Sequence, residues 1–220
     1  MDERLSAAAE FFPCVAVGSD IGANHGYLAC RLLSQGKAQR MWLTDLSPDA
    51  LEQARRNVQA KGLTDRARFA VGDGFTVLPE RVDAAAILGM GGITAAGILH
   101  SAPKDLLPEK LVVSSHTEQE TVRRALYERG YAITREQVVL SVGRFYVLHL
   151  AQQAGQAEMP DERLLFLGPC LVGQNSPVYR AYLERRSAAY LPSRSPEGRK
   201  RYEWLREEAA RAAADSPVGT

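Results

Sequence analysis

The chain has 220 residues, 45% of them hydrophobic, and its 27 Lys and Arg nearly balance its 26 Asp and Glu. That suits a globular protein with one sizeable core plus an appendage, and leaves nucleic acid open as a partner because a basic patch can sit inside a neutral total. Cys14, Cys30 and Cys170 are too few and too widely spaced for a disulfide framework or a metal knuckle. No apolar stretch is long enough to span a bilayer, and the opening Met1-Asp2-Glu3-Arg4-Leu5 lacks the apolar run of a secretory leader. A cytoplasmic protein without a membrane anchor or a bound metal is expected.

Residues 3–11 read as a short amphipathic helix ending before Pro13. Val15–Gly22 reads as a buried strand running into a glycine turn, and Tyr27–Ser34 as a helix stopped near Gly36. Met41–Asp45 is a second strand. Ser47 and Pro48 are an N-cap and a first helical residue, opening a helix that carries Leu51, Ala54 and Val58 and ends at Gly62. Strands are expected at Ala67–Val71, Val82–Leu88 and Leu111–Ser115, with helices at Ile93–His100 and Thr117–Arg129 between and after them. This alternation predicts a parallel sheet covered on both faces, with right-handed crossovers. Then the pattern breaks. Tyr131–Leu140 and Arg144–Ala151 are separated only by Ser141-Val142-Gly143, which predicts an antiparallel hairpin. Parallel units closed by a terminal hairpin fit the Rossmann-like α/β sheet of class I methyltransferases better than a dinucleotide dehydrogenase. Residues 152–160 are polar and read as a linker, and Pro177–Tyr190 and Glu197–Ala214 as helices. The division expected is a catalytic domain over residues 1–151 and a small helical domain over 161–220.

Open α/β sheets bind ligands at the carboxyl ends of their strands. Four successive strand ends here carry an acid, a glycine or both: Asp20-Ile21-Gly22, Asp45, Gly72-Asp73-Gly74 and Gly89-Met90-Gly91-Gly92. Each has an ordinary explanation as a turn or a helix cap. Three glycines after the fourth strand exceed the needs of a bend and suggest close backbone approach to a ligand. Asn24 and His25 stand where a G-x-G-x-x-G loop would have small residues for a pyrophosphate, which counts against NAD. Asp45 is placed to hold ribose hydroxyls, and Asp73 an exocyclic amine of adenine. Asp20, Gly22, Asp45, Asp73, Gly74 and Gly89 are therefore the candidate cofactor residues. His25 lies inside the first loop and His116 follows the fifth strand, whereas His100 and His149 look structural. The histidines share no metal-ligand spacing with one another or with cysteine.

The run Asp20-Ile21-Gly22-Ala23-Asn24-His25-Gly26-Tyr27-Leu28 resembles the D-I-G-[ST]-D-H-[AG]-Y-L signature of the bacterial tRNA adenine-22 N1-methyltransferases, the TrmK family. Gly89-Met90-Gly91-Gly92 is similar to that family's G-M-G-G, and Gly72-Asp73-Gly74 to its G-D-G. Gly143-Arg144-Phe145-Tyr146-Val147 resembles its G-[KR]-x-Y-x-V stretch, and Gly168-Pro169 a G-P pair entering its C-terminal helices. The resemblance implies S-adenosylmethionine as cofactor, tRNA as partner, and a helical C-terminal domain that helps hold the RNA. It puts Asn24, His25, Met90, Gly91 and Ser114 around the target base, with Tyr27 near it. Two places depart from the pattern. Asn24 stands where the family usually has Asp, and Ser114-Ser115-His116 where it often has a Q-P-x segment. A methyltransferase acting on a small molecule or protein, and a non-catalytic RNA-binding module, remain as alternatives. The C-terminal helices carry Arg180, Arg185, Arg186, Arg194, Arg199, Lys200, Arg201 and Arg206, with Tyr179, Tyr182, Tyr190, Tyr202 and Trp204 interleaved. That composition suits phosphate contacts along RNA as well as it suits a solvated helical pair with tyrosines facing inward.

Overall fold

A computed structural model describes residues 2–155, 157–191 and 195–214. Helix α1 (Glu3–Phe11) precedes β1 (Val15–Ile21), α2 (Tyr27–Ser34), β2 (Ala38–Asp45), α3 (Pro48–Ala60), β3 (Ala67–Val71), β4 (Ala84–Ile87) and α4 (Gly92–Ser101). Then come β5 (Lys110–Ser115), α5 (Gln119–Glu128), β6 (Tyr131–Ser141), β7 (Arg144–Gln153), α6 (Glu162–Leu167), α7 (Pro177–Tyr190) and α8 (Pro196–Ala214). The strands form one 7-stranded sheet in the order β3-β2-β1-β4-β5-β7-β6. β1 to β5 pair in parallel, and β7 runs antiparallel to both β5 and β6. This is the Rossmann-like sheet with the expected terminal hairpin. Chain order reverses between β1 and β4, so their carboxyl ends, Ile21 and Ile87, flank the crevice where such sheets bind ligands.

Successive side chains on a strand point to opposite faces. Ala84 and Ala86 of β4 join one core with Leu28, Leu32, Leu51 and Val58 of α2 and α3. Ala85 and Ile87 join the other, with Ala95, Leu99, Val122 and Leu126 of α4 and α5. A third cluster combines Val138 and Val147 of the hairpin with Phe166, Tyr179, Leu183 and Leu205 of the C-terminal helices. Helices α6, α7 and α8 are thus seated on the hairpin edge of the sheet through shared apolar packing.

One charged network sits in that joint. Arg123 of α5, Glu136 of β6 and His149 of β7 are all buried. Glu136 accepts from Arg123 Nε at 2.7 Å, from His149 Nδ1 at 2.8 Å and from the Cys170 backbone N–H at 2.8 Å. Arg123 Nη1 donates to the carbonyls of Leu165 and Phe166 at 2.8 and 3.1 Å. An ionised Glu136 can only accept, so the proton of His149 resides on Nδ1. Burial alone would raise the Glu136 carboxyl. The Arg123 guanidinium and the His149 bond outweigh it and hold the group well below the usual carboxylate range.

Some boundaries differ from the sequence reading. β2 begins at Ala38, because Val15 and Val17 of β1 pair with Ala38 and Arg40. β4 is shorter than Val82–Leu88; ahead of its start the Asp83 carboxylate, in place of a backbone carbonyl, accepts from Val17 N–H at 2.8 Å. The stretch read as a linker is strand as far as Gln153, where it pairs with Tyr131. Helix α6 was not anticipated. Its N-cap Asp161 accepts from Leu164 N–H at 2.8 Å, but Leu164-Leu165-Phe166-Leu167 is a continuous apolar run without helical period.

Candidate active site

The first loop is pinned from two sides. Asp45 at the end of β2 accepts from Asn24 N–H through Oδ2 and from Ser47 N–H through Oδ1, both at 2.9 Å. Asn57 of α3 donates to the His25 carbonyl at 2.9 Å. Asn24 takes a left-handed backbone, φ 48, which Asn and Asp tolerate better than other side chains. Its side chain is exposed, as are those of His25 and Tyr27, whose rings lie 5.6 Å apart.

A cleft opens over this loop, lined by Asp20, Gly22, Asn24, His25, Leu88 and Gly89 together with Arg4 and Tyr27. Asp20 is buried and, among the described residues, accepts one bond, from Ala29 N–H at 3.3 Å. Burial pushes its carboxyl up to about 7, against the Ala29 bond; the charge of Asp45 raises it further and that of Arg4 lowers it. A carboxyl so short of partners is suited to a ligand cation.

The other anticipated residues sit on the adjoining strand ends and loops and do not line this cleft. Met90 is beside Gly22: a Cβ built on Gly22 would fall 2.7 Å from its Cε. Gly91 caps the start of α4. Asp73 is exposed on the next rim loop, where Gly72 N–H donates to the Asp45 carbonyl at 2.9 Å, and Gly74 packs against Ile98 of α4. Ser114 is fully buried in the last turn of β5, does not line the cleft, and its hydroxyl has no hydrogen-bond partner among the described residues. His116, two residues on, is exposed.

Arg4 was missed by the sequence reading. Helix α1 folds across the strand ends and sets the Arg4 guanidinium 5.1 Å from the Tyr146 ring centre and beside Gly89. Tyr146 in turn lies 5.8 Å from His116, ring to ring. Nothing in the spacing of residues 4, 89, 116 and 146 announces this row. Gly92 joins two of the rim loops: its N–H donates to Glu118 Oε2 at 3.2 Å, and the carbonyls of Thr117 and Glu118 lie 2.6 Å from where a Cβ would stand.

The site's composition suits S-adenosylmethionine. A buried carboxylate answers an ammonium, an acid with both oxygens fixed at the second strand end answers a ribose diol, and glycines leave the rim open. Among the described residues no helix is long and apolar enough to cross a membrane, and no three His, Cys, Asp or Glu side chains are grouped to hold a metal ion.

Comparison with known proteins agrees. The chain is 30% identical over 187 residues to the tRNA (adenine(22)-N(1))-methyltransferase of Bacillus subtilis, covering 81% of this chain and 78% of that protein. Its fold matches a Streptococcus pneumoniae protein crystallised with S-adenosyl-L-methionine, with a TM-score of 0.87, 23% identity, and coverage of 95% of this chain and 99% of that one. It also matches Mycoplasma capricolum TrmK in complex with S-adenosyl-homocysteine, with a TM-score of 0.77, 20% identity, and coverage of 97% and 96%. The family model for tRNA (adenine(22)-N(1))-methyltransferase, TrmK, matches residues 18–210. The chain therefore belongs to the TrmK family of S-adenosylmethionine-dependent methyltransferases.

Proposed function

We propose that this protein methylates N1 of an adenine in tRNA, with S-adenosylmethionine as donor and the cleft between β1 and β4 as the reaction site. The observation that carries the reading is Asp20, a buried carboxyl facing the cleft with a single hydrogen bond. When bound, S-adenosylmethionine supplies a methyl group on a sulfonium, which an acceptor nitrogen displaces in line. Asp20 holds the ammonium of the methionine moiety, Asp45 the ribose hydroxyls, and Asp73 with Gly74 the adenine side. Gly22 and Gly89 admit the ligand between the strand ends, and Arg4 beside Gly89 offers a cation to its carboxylate.

Adenine N1 presents its lone pair in the ring plane, so no residue has to remove a proton before attack. The protein's work is alignment and support of the positive charge left on the base. Asn24, His25, Met90 and Gly91 border the space for the base, and the Asn24 amide oxygen can accept from N6. Ser114, buried at the end of β5, does not border this space. A reducing cytoplasm, where three unpaired cysteines are ordinary, belongs to the same reading. Incubation with labelled S-adenosylmethionine and unmodified tRNA, followed by mass spectrometry of digested nucleosides, is expected to yield 1-methyladenosine. Label appearing only in protein or small molecules overturns the substrate assignment.

Asp45→Ala is expected to weaken S-adenosylmethionine binding by about 1–3 kcal/mol, the scale of hydrogen bonds to a charged group. It also frees the Asn24 N–H, so Asp45→Asn, which retains one acceptor, should fall between. Calorimetry checks both, and unchanged affinity in the Ala variant removes Asp45 from the site.

Asn24→Asp is expected to raise the single-turnover rate. A carboxylate at this exposed, left-handed position is sterically tolerated and meets the charge on the methylated base, which an amide cannot. The difference between neutral and charged acceptors, about 1 kcal/mol, predicts a gain of roughly five-fold. A slower Asp variant beside a fully active wild type means the amide is the working group.

A further inference from the structure

A second concave surface lies beyond the cleft, between the start of α5, the hairpin and α7. It is lined by His116, Arg144, Phe145, Tyr182, Arg185 and Arg186, with Gln119 and Ala189, and among the described residues no carboxylate contributes to it. The absence of acids matters because several other cations of the C-terminal helices are ion-paired. Lys200 pairs with Glu162 at 2.8 Å, Arg201 with Glu197 at 2.7 Å and Glu120 at 3.1 Å, and Arg211 with Glu208 at 2.8 Å. Arg163 of α6 is likewise held by Glu207 at 2.8 Å. Arg194 lies outside the described residues. Among the described residues no ion pair engages Arg144, Arg185 or Arg186. Arg186 is committed to packing, its guanidinium 4.1 Å from the Phe166 ring centre and 5.3 Å from that of Tyr182. Arg144 is exposed, and Arg185 donates to the Gly143 carbonyl at 3.4 Å and lies over the Phe145 ring, 5.9 Å from its centre.

The groove also connects to the cleft. His116 lines it, Tyr146 lies 5.8 Å from His116, and Arg4 of the cleft lies 5.1 Å from Tyr146. A chain leaving the cleft along this row meets aromatic faces and then guanidinium groups. Alternating aromatic and cationic surfaces of this kind track single-stranded nucleic acid, with bases on rings and phosphates on arginine.

We propose that this groove holds the ribose-phosphate chain on one side of the target adenosine, with Arg144 and Arg185 on phosphates and the half-buried Phe145 ring, backed by the buried Tyr182, under the sugar or base. This rests on the tRNA-methyltransferase reading and deepens it. RNA is gripped jointly by the sheet hairpin and α7, while the outer face of α8, despite its many basic residues, is not the main contact.

The test compares two double variants of the full-length protein. Arg144→Gln with Arg185→Gln is expected to weaken binding of unmodified tRNA, followed by fluorescence anisotropy, by about 10–100-fold. It should reduce the slope of log affinity against log salt by about 1–2. S-adenosylmethionine affinity and thermal melting should not change. Lys200→Gln with Arg206→Gln on α8 should leave tRNA affinity within about two-fold. Unchanged tRNA affinity and salt slope in the Arg144/Arg185 variant, beside a wild type that methylates tRNA, overturns the groove and leaves the enzyme standing. The reverse ranking of the two variants also overturns it. A wild type that neither binds nor methylates tRNA overturns the enzyme reading, and the groove with it.

Discussion

Asp20→Asn is expected to abolish useful S-adenosylmethionine binding while making the ligand-free protein harder to melt. The folded carboxyl sits at about 7 against an ordinary value of 3.8, chiefly because it is buried. Between those two values the folded state keeps a proton that the unfolded chain has released. Asp20's contribution to stability is therefore full below 3.8 and is lost as pH rises through about 7. At pH 8 the ionised group costs the fold up to about 4 kcal/mol. An amide keeps an acceptor for the Ala29 N–H and never ionises. Recovering half of that cost would raise Tm by about 5 °C for a protein of this size. The same substitution removes the partner for the ligand ammonium, and losing one member of a buried charge pair weakens binding by at least about 30-fold. Wild-type affinity should climb about ten-fold per pH unit from pH 5 towards 7 and then level off, as Asp20 ionises. The variant should show no such rise. Calorimetry and melting curves across that range check both halves, and pH-independent binding with full affinity in the Asn variant would falsify the assignment.

Glu136→Gln is expected to be the most destabilising single change away from the cleft. The carboxylate accepts from three donors, and glutamine can satisfy only some of them while presenting its own NH2 to another. Arg123 would remain buried with its charge uncompensated. Breaking a buried pair by neutralising one partner costs about 3–5 kcal/mol, a fall in Tm of roughly 10 °C. The pH dependence follows from two groups. Glu136 lies below its ordinary value, so its contribution is present above 4.5 and is lost as pH falls through its depressed folded value. Burial lowers His149 despite its bond to Glu136. The unfolded chain therefore takes up a proton below about 6.5 that the folded core resists, and stability declines on that side too. Urea titrations at pH 7.5, 5 and 3 should show the His149 loss between the first two and the Glu136 loss between the last two in the wild type, with the Glu136 part missing from the variant. A variant melting within two degrees or so of the wild type would show that the core tolerates an unpaired Arg123.

What the sequence could and could not disclose divides along the range of the interactions. The parallel sheet and its closing hairpin were legible because glycines and acids punctuate apolar runs at every strand end. The clustering of Asp20, Gly22, Asn24 and Gly89 followed from strand order alone. Asp45 is tied to the same loop by its bond to Asn24 N–H. Arg4 was not legible, since its place depends on how α1 crosses the sheet. Ser114 was assigned to the base pocket from its position at a strand end, but pairing with Leu148 of β7 buries that end, and the first exposed side chain is His116. The basic count of the last two helices suited phosphate contacts along RNA and a solvated helical pair equally well. Sequence gives the number of cations but not the carboxylates that α5 and α6 bring against them, and those partners separate Lys200 and Arg201 from Arg144 and Arg185. Residues 161–220 were read as a small helical domain. The packing of Phe166, Tyr179 and Leu205 against Val138 and Val147, and the bond from Arg123 to the Leu165 carbonyl, are long-range and leave no mark in local composition.

Gly92 sets terms for anyone who wishes to redirect this scaffold to another acceptor. Position 92 is closed to every side chain, because two carbonyls of the neighbouring loop already occupy the space at 2.6 Å. Met90 is half-buried beside Gly22, and Ile93 is 68% exposed one step further along α4. A library varied at 90 and 93 samples new walls for the acceptor while the frame that carries them stays fixed. One that includes 92 mostly samples broken frames.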